Sequence, residues 1–271
     1  MTTVGELAEY LEKKVPTRLK LDFDNVGLLA GFAGAEVGRV LVALDITAAV
    51  IQEAMAIGAE LIVSHHPIIM EPLKTVVDTD PRGRRVTQLL EHRLSAICLH
   101  TNLDSVIGGV NDALAAALGA EATGVIEPTG LGPDGEICGI GRLCELKEPV
   151  PLGDFLELVR DQLRADGLRF YDADRPVKRL VVCGGAGGEA LYTAAALDCD
   201  TYVTGEIKYH HWLDGKELGL NLVEAGHFCT ENVVVPVIRD MIIEGFPALD
   251  VRISASHGPT ARTFPRGGSI T

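Results

Sequence analysis

Apolar runs of strand length alternate with helical patterns along most of the chain. GRVLVALDI (38–46) predicts a strand, and AAVIQEAMAIG after it has helical spacing that ends at a glycine. AELIVS (59–64) predicts a second strand, and a helix through RRVTQLLEHR leads into a third, LSAICLH (94–100). NDALAAALG predicts a short helix with Asn111 as its cap and Gly119 as its stop. This rhythm predicts an α/β fold whose largely parallel sheet is covered on both faces.

The character changes at IEPTGLGPDGE (126–136), whose glycines and prolines predict a connection between lobes. ICGIGRLCEL is a strand beyond it. A second alternating series comes next: helix DFLELVRDQLRA, strands LRFYD and RLVVCG, helix EALYTAAALD and strand TYVTG. NLVEAG (221–226) predicts another strand, NVVVPVIRDMIIEG a long helix, and SASHGPTARTFPRGGSIT a loop. The chain thus divides into a first lobe of 1–125 plus 221–271 and a second α/β lobe of 126–220.

Composition narrows the function. Hydrophobic residues make up 47% of 271 and aromatic ones 5%, so the core must be aliphatic. A formal charge of -14 argues against nucleic acid or anionic membrane as a partner, since both would be repelled. No window approaches the ~20 consecutive apolar residues of a membrane span. MTTVGELAEYLEKKV reads as an amphipathic helix rather than a secretory signal. The six cysteines are dispersed without a CxxC and several sit in apolar runs, which predicts reduced, buried thiols and a cytoplasmic protein.

Three segments share one design, an apolar strand that ends in metal-binding side chains. ELIVSHHP delivers His65 and His66, SAICLHTNLDS delivers His100 and Asp104, and NLVEAGHFCTE delivers His227 and Glu231. Neighbouring residues of a continuing strand point to opposite faces, so His65 and His66 serve one site only if the chain turns there. Pro67 favours that turn. His227 and Glu231 lie on one face if the turn after Gly226 is already helical. In open parallel sheets ligands bind beyond the carboxyl ends of the strands, where all three segments place these residues.

Three imidazoles (His65, His66, His227) and two carboxylates (Asp104, Glu231) are one ligand short of two separate three-ligand sites. A bridging carboxylate, for which Glu231 is favoured, resolves the count. Mixed nitrogen and oxygen ligands suit zinc, iron or manganese better than magnesium or calcium. The residual positive charge would let an acidic protein hold an anionic substrate. His100 reads as lining the site, either as a proton shuttle or in a structural hydrogen bond. Glu206, just past strand TYVTG, is a candidate general base, with a solvated helix start as the competing view. His92, His210, His211 and His257 are read as structural, and Cys229 as packed. CGGAGGEA (183–190) is a weak dinucleotide fingerprint, and a tight strand-to-helix turn explains its glycines better.

At these residues the sequence resembles the Nif-three-like family, also called GTP cyclohydrolase I type 2 homologues. The matching motifs are DNVGLL (24–29), LIVSHHPII (61–69), HTNLD (100–104), TGEIKYH (204–210) and GHFCTE (226–231). The resemblance implies a dinuclear metal centre at His65, His66, Asp104, His227 and Glu231. It also implies two interlocked α/β lobes with the metals in their cleft, and a ring-shaped homohexamer. The expected function is metal-dependent hydrolysis of a nucleotide-like or other phosphate-containing small molecule. The alternative is a non-catalytic protein for metal storage, delivery or scaffolding.

Overall fold

The computed structural model describes residues 1–263; the last part of the predicted tail loop, 264–271, lies outside the described residues. The strands are β1 (Gly27–Ala30), β2 (Arg39–Ala43), β3 (Leu61–Ser64), β4 (Ser95–Cys98), β5 (Glu121–Leu131) and β6 (Ile137–Val150). They continue as β7 (Arg169–Tyr171), β8 (Val177–Cys183), β9 (Thr201–Thr204), β10 (Asn221–Glu224) and β11 (Asp250–Ile253). The helices are α1 (Val4–Lys14), α2 (Ala48–Ile57), α3 (Pro81–Glu91), α4 (Thr101–Ser105) and α5 (Val110–Ala117). After them come α6 (Leu152–Leu163), α7 (Leu191–Ala196), α8 (Tyr209–Glu217), α9 (His227–Glu231) and α10 (Val235–Gly245). No helix among the described residues is long and apolar enough to cross a membrane.

Local chemistry explains the helix ends. Thr3 and Glu6 form a reciprocal capping box on α1. Thr47 caps α2, which stops at Gly58 in the left-handed conformation, and Asp80 caps α3 with Pro81 in its first turn. Asn111 departs from expectation. It lies inside α5 rather than capping it, and its side-chain oxygen accepts the Gly184 N–H at 3.0 Å.

The chain forms two compact units, each assembled from separated segments. The first comprises Met1–Val110, Glu127–Ile140 and Val234–His257. Its sheet has the order β1-β4-β3-β2-β11, with β2, β3, β4 and β11 parallel and β1 antiparallel to β4. Every residue of β3 and β4 is buried, which is why these strands read as continuous apolar runs. Leu41, Ile62 and Ala96 pack with Val50, Ile51, Val86 and Leu89 of α2 and α3. The strands β1 and β11, both at sheet edges and only partly buried, are not legible as apolar runs.

The second unit comprises Asn111–Ile126, Gly141–Val233 and the chain from Gly258. A six-stranded sheet runs β5-β6-β8-β9-β10-β7, with β8, β9 and β10 parallel. Leu180, Val182, Val203 and Val223 pack there against Phe155, Val159 and Leu163 of α6. The predicted connection at 126–136 is strand as far as Leu131. Pro128 is tolerated because β5 is the sheet edge, where a missing N–H breaks no inner ladder. Five of the six cysteines are buried and Cys229 is half-buried. Burial pushes the Cys98 thiol up to about 11 and that of Cys144 up to about 12, so neither is a thiolate at neutral pH.

One buried charge stands out in the second unit. Arg142 on β6 is 1% exposed, and its guanidinium grips both oxygens of Asp112 on α5 at 2.7–3.0 Å. Removing one partner strands the other's charge. Asp112→Ala is expected to cost about 3 kcal/mol in urea denaturation, and Asp112→Leu with Arg142→Met to recover most of that loss.

Candidate metal centre

The in-phase ends of parallel strands set the geometry in the first unit. Ala43 of β2 pairs with Ser64 of β3, and Ser64 pairs with Cys98 of β4. Two residues further along each strand, the same register brings Asp45, His66 and His100 side by side. The chain turns at His65: the Ser64 hydroxyl donates to the His66 carbonyl at 2.8 Å, and the His66 N–H reaches the Leu44 carbonyl at 2.9 Å. Both imidazoles therefore lie on one side despite being adjacent in sequence, with ring centroids 5.0 Å apart. His100 completes the cluster at 5.2 Å from His65 and 5.6 Å from His66.

Each ring is held through Nδ1. His65 Nδ1 donates to the Leu99 carbonyl at 2.9 Å, His66 Nδ1 to Asp45 at 2.8 Å and His100 Nδ1 to Asp24 at 2.8 Å. This tautomer leaves the lone pair on Nε2, the arrangement of metal-binding histidines. His65 Nε2 is 3.7 Å from Asp104 Oδ1. The rings of His65, His66 and His100 each offer a nitrogen within 4.8 Å of the other two. Imidazole nitrogens grouped at this range, with the Asp104 carboxylate beside His65, are the mixed nitrogen and oxygen donors that zinc, iron or manganese takes, so the donor set fits a metal ion.

The carboxylates behind the rings matter as much. Asp24 is buried, which by itself would raise its pKa. Hydrogen bonds from His100 and from the Thr101 hydroxyl and N–H outweigh that and hold it well below the ordinary carboxylate range. An ionised Asp24 keeps the proton of His100 on Nδ1. Neither Asp24 nor Asp45 stands out as a site residue in the sequence. Asp45 is findable from register alone, because it stands two residues past β2 as His66 stands two past β3. At the sheet edge, His257 accepts the Leu44 N–H through Nδ1 at 3.3 Å and so braces the residue beside Asp45.

The second unit repeats the device. Cys183 of β8 pairs with Thr204 of β9, which pairs with Glu224 of β10, so Gly185, Glu206 and Gly226 come next in step. Gly226, with φ +87, turns the chain into α9. His227 Nδ1 then meets Glu206 Oε1 at 3.0 Å, and Nε2 meets Glu231 Oε2 at 3.0 Å across one helical turn. Ligands each about 2.0–2.2 Å from one metal stand at about this separation. Glu231 is buried while Glu206 is largely exposed.

The glycine-rich turn serves this pair rather than a nucleotide. Gly184 N–H donates to Asn111 and Gly185 N–H to the Thr230 hydroxyl, so both amides are engaged within the unit. The turn leads into a short 3-10 segment and a six-residue helix, not a dinucleotide-binding helix. Gly185 has φ +64, and an added Cβ would lie 2.1 Å from Glu231 Oε1. Cys229 packs against the unit's core, and burial raises its thiol pKa.

Comparison with known proteins gives a consistent result. The family model described as Duf34/NIF3 (NGG1p interacting factor 3) matches residues 2–259. A Clostridium perfringens relative called GTP cyclohydrolase 1 type 2 homolog is 33% identical over 242 residues, covering 89% of this chain and 91% of that protein. A Streptomyces coelicolor relative of the same name is 31% identical, covering 85% and 82%. Among solved structures, the Staphylococcus aureus protein SA1388 superposes with a TM-score of 0.89 at 27% identity, covering 97% of this chain and 99% of that one. A Bacillus cereus protein related to NIF3 has the same fold, with a TM-score of 0.90 at 24% identity over 97% and 100% of the two chains.

The Gly185 geometry yields a test. Gly185→Ala is expected to lose upwards of about 1 kcal/mol in chemical denaturation, because alanine resists positive φ. Gly226→Ala, where nothing lies within 4 Å of the added Cβ, should show the backbone cost without a collision.

Proposed function

The chain belongs to the Duf34/NIF3 family, and from that premise we propose that it is a hydrolase with a dinuclear metal centre, acting on a nucleotide-like or other phosphate-containing small molecule. The residues that would hold two ions of zinc, iron or manganese in this reading are His65, His66, Asp104, His227 and Glu231. The observation that carries the reading is the pair of His65 and His66, whose rings turn to one side with centroids 5.0 Å apart and whose Nδ1 protons go to oxygen acceptors, with Asp104 Oδ1 3.7 Å from His65 Nε2. The pair of His227 Nε2 and Glu231 Oε2 in the second unit supplies donors of the same kind. The relatives' name, GTP cyclohydrolase 1 type 2 homolog, supports a nucleotide as the first substrate to try.

When bound, the metals would acidify a water and polarise an electrophile. The chain's own residues do the rest. Asp45 and Glu206 fix the ring orientations of His66 and His227, which keeps the donor atoms aimed without a search through rotamers. His100, anchored on ionised Asp24, has its Nε2 available to take a proton from the reacting water and return it to the leaving group. Asp24 stabilises the imidazolium formed at that moment. The ring-shaped homohexamer belongs to the same proposal, and light scattering on the purified chain reads it.

Metal analysis and turnover on a panel of nucleotides and phosphoesters test this reading. His66→Ala and Glu231→Ala should each bind less metal and lose roughly 10²-fold or more in turnover. Activity that persists in both variants sinks the mechanism, and tight metal retention without turnover on any substrate favours the storage or delivery role. Asp45→Asn keeps the shape but weakens the acceptor behind His66. It should lower metal affinity about 10–100-fold by competition with a chelator, with an unchanged circular dichroism spectrum.

A further inference from the structure

We propose that a cavity in the second unit holds the anionic end of the substrate, a phosphate group, between Arg164 and Arg262, with the reacting end of the same molecule against His227. This deepens the reading above, because it takes His227 as part of the reacting centre. The cavity has a volume of about 420 Å³, within the range of small-molecule sites. Its walls are the ends of β9 and β10, the start of α9, the turn after α6 and the segment Pro259–Thr263.

The supply of unused hydrogen-bond donors decides what the cavity accepts. Glu224 is neutralised, since one oxygen takes Arg169 at 2.8 Å and the other the Ile207 N–H at 2.7 Å. Glu206 is engaged by His227. Arg164 and Arg262 make no side-chain hydrogen bond or ion pair with any of the described residues, and Asp166 is the one lining carboxylate equally unengaged among them. Glu206 keeps its negative charge under the His227 hydrogen bond, so two guanidiniums face two uncompensated carboxylates; the cavity is set apart by guanidinium N–H donors that no described residue takes, on a chain whose net charge is -14. An oxyanion repelled by most of this surface finds donors here, and the fork of a guanidinium matches phosphate oxygens. Arg164 also sits at the end of α6 with φ +52, a position that glycine fills with less strain. Phe228, Cys229 and Pro259 are also part of the lining and offer apolar surface for a ring.

Calorimetric titration of the full chain with GTP, guanosine and inorganic pyrophosphate tests the proposal, run on metal-loaded and on chelator-treated protein. GTP is expected to bind metal-loaded protein at least tenfold more tightly than guanosine. Arg164→Gln and Arg262→Gln should each weaken GTP and pyrophosphate roughly tenfold, the loss of one charge-assisted contact, while leaving guanosine affinity and metal content unchanged. Equal affinity for GTP and guanosine overturns the anion site, as does wild-type GTP binding in both variants or undetectable pyrophosphate binding to either form of the protein. If chelation abolishes guanosine binding but pyrophosphate still depends on both arginines, the cavity stands. If the purified protein carries no metal while the arginine dependence holds, only the metal reading falls.

Discussion

Hydrogen-bond register between parallel strands is the constraint on which the candidate site depends. Parallel neighbours have evenly spaced bonds, so strands that pair without a slip carry their alignment into the residues just beyond them. Ala43, Ser64 and Cys98 are level in one sheet, and Cys183, Thr204 and Glu224 are level in the other. Two residues past each level line stand Asp45, His66 and His100 in the first case, and Gly185, Glu206 and Gly226 in the second. A slip of one residue in β3 would send the imidazoles to the opposite face and pull His66 away from Asp45. The buried, aliphatic strands resist such a slip because every residue of β3, β4 and β9 is packed on both sides.

Once register has brought the groups together, electrostatics fixes their chemical form. A histidine offers a metal one nitrogen only if the other holds the proton, and for His65, His66 and His100 an oxygen acceptor makes that choice. Asp24 does so from a buried position that would be costly for an unsupported carboxylate. Four donors, from the His100 ring, the Asn25 N–H and the backbone and hydroxyl of Thr101, replace the lost water. The loop carrying Asp24 and the one carrying His100 are joined by the antiparallel pairing of β1 with β4, in which Gly27 faces Cys98. Extending that register by three residues sets Asp24 opposite Thr101. A short edge strand, unimpressive as a structural element, is what delivers the buried acid.

Small residues make room for the acid of the second unit. At Gly185 the backbone passes so close to Glu231 that no side chain fits, and at Gly205 an added Cβ would lie 2.5 Å from the Gly185 carbonyl and 2.8 Å from the Cα of His227. The Thr230 hydroxyl accepts the Gly185 N–H, tying the turn to α9. The glycines of CGGAGG therefore answer to close packing of three chain segments. A motif of this composition suggests phosphate binding when read alone, yet its first amides are already engaged inside the fold.

Local pattern was enough for much of this protein. The apolar runs marked most of the buried parallel strands, glycines marked the ends of α2 and α5, and SHHP, HTNLD and GHFCTE pointed to the imidazoles and carboxylates that end those strands. Those signals are local because burial on both faces and left-handed helix stops are demands a residue meets by its own nature. The partners at Nδ1 are another matter. Asp24, Asp45 and Glu206 face their histidines across 76, 21 and 21 residues of chain, and only strand pairing chooses them. The edge strands β1, β5 and β11 also needed the tertiary structure: half-solvated strands carry too weak an apolar pattern to stand out, and Pro128 reads as a breaker until its place at the sheet edge is known. Residue type set which chemistry was available, and the sheets decided which groups would meet, because pairing across the chain is a property of the whole fold and of no single segment.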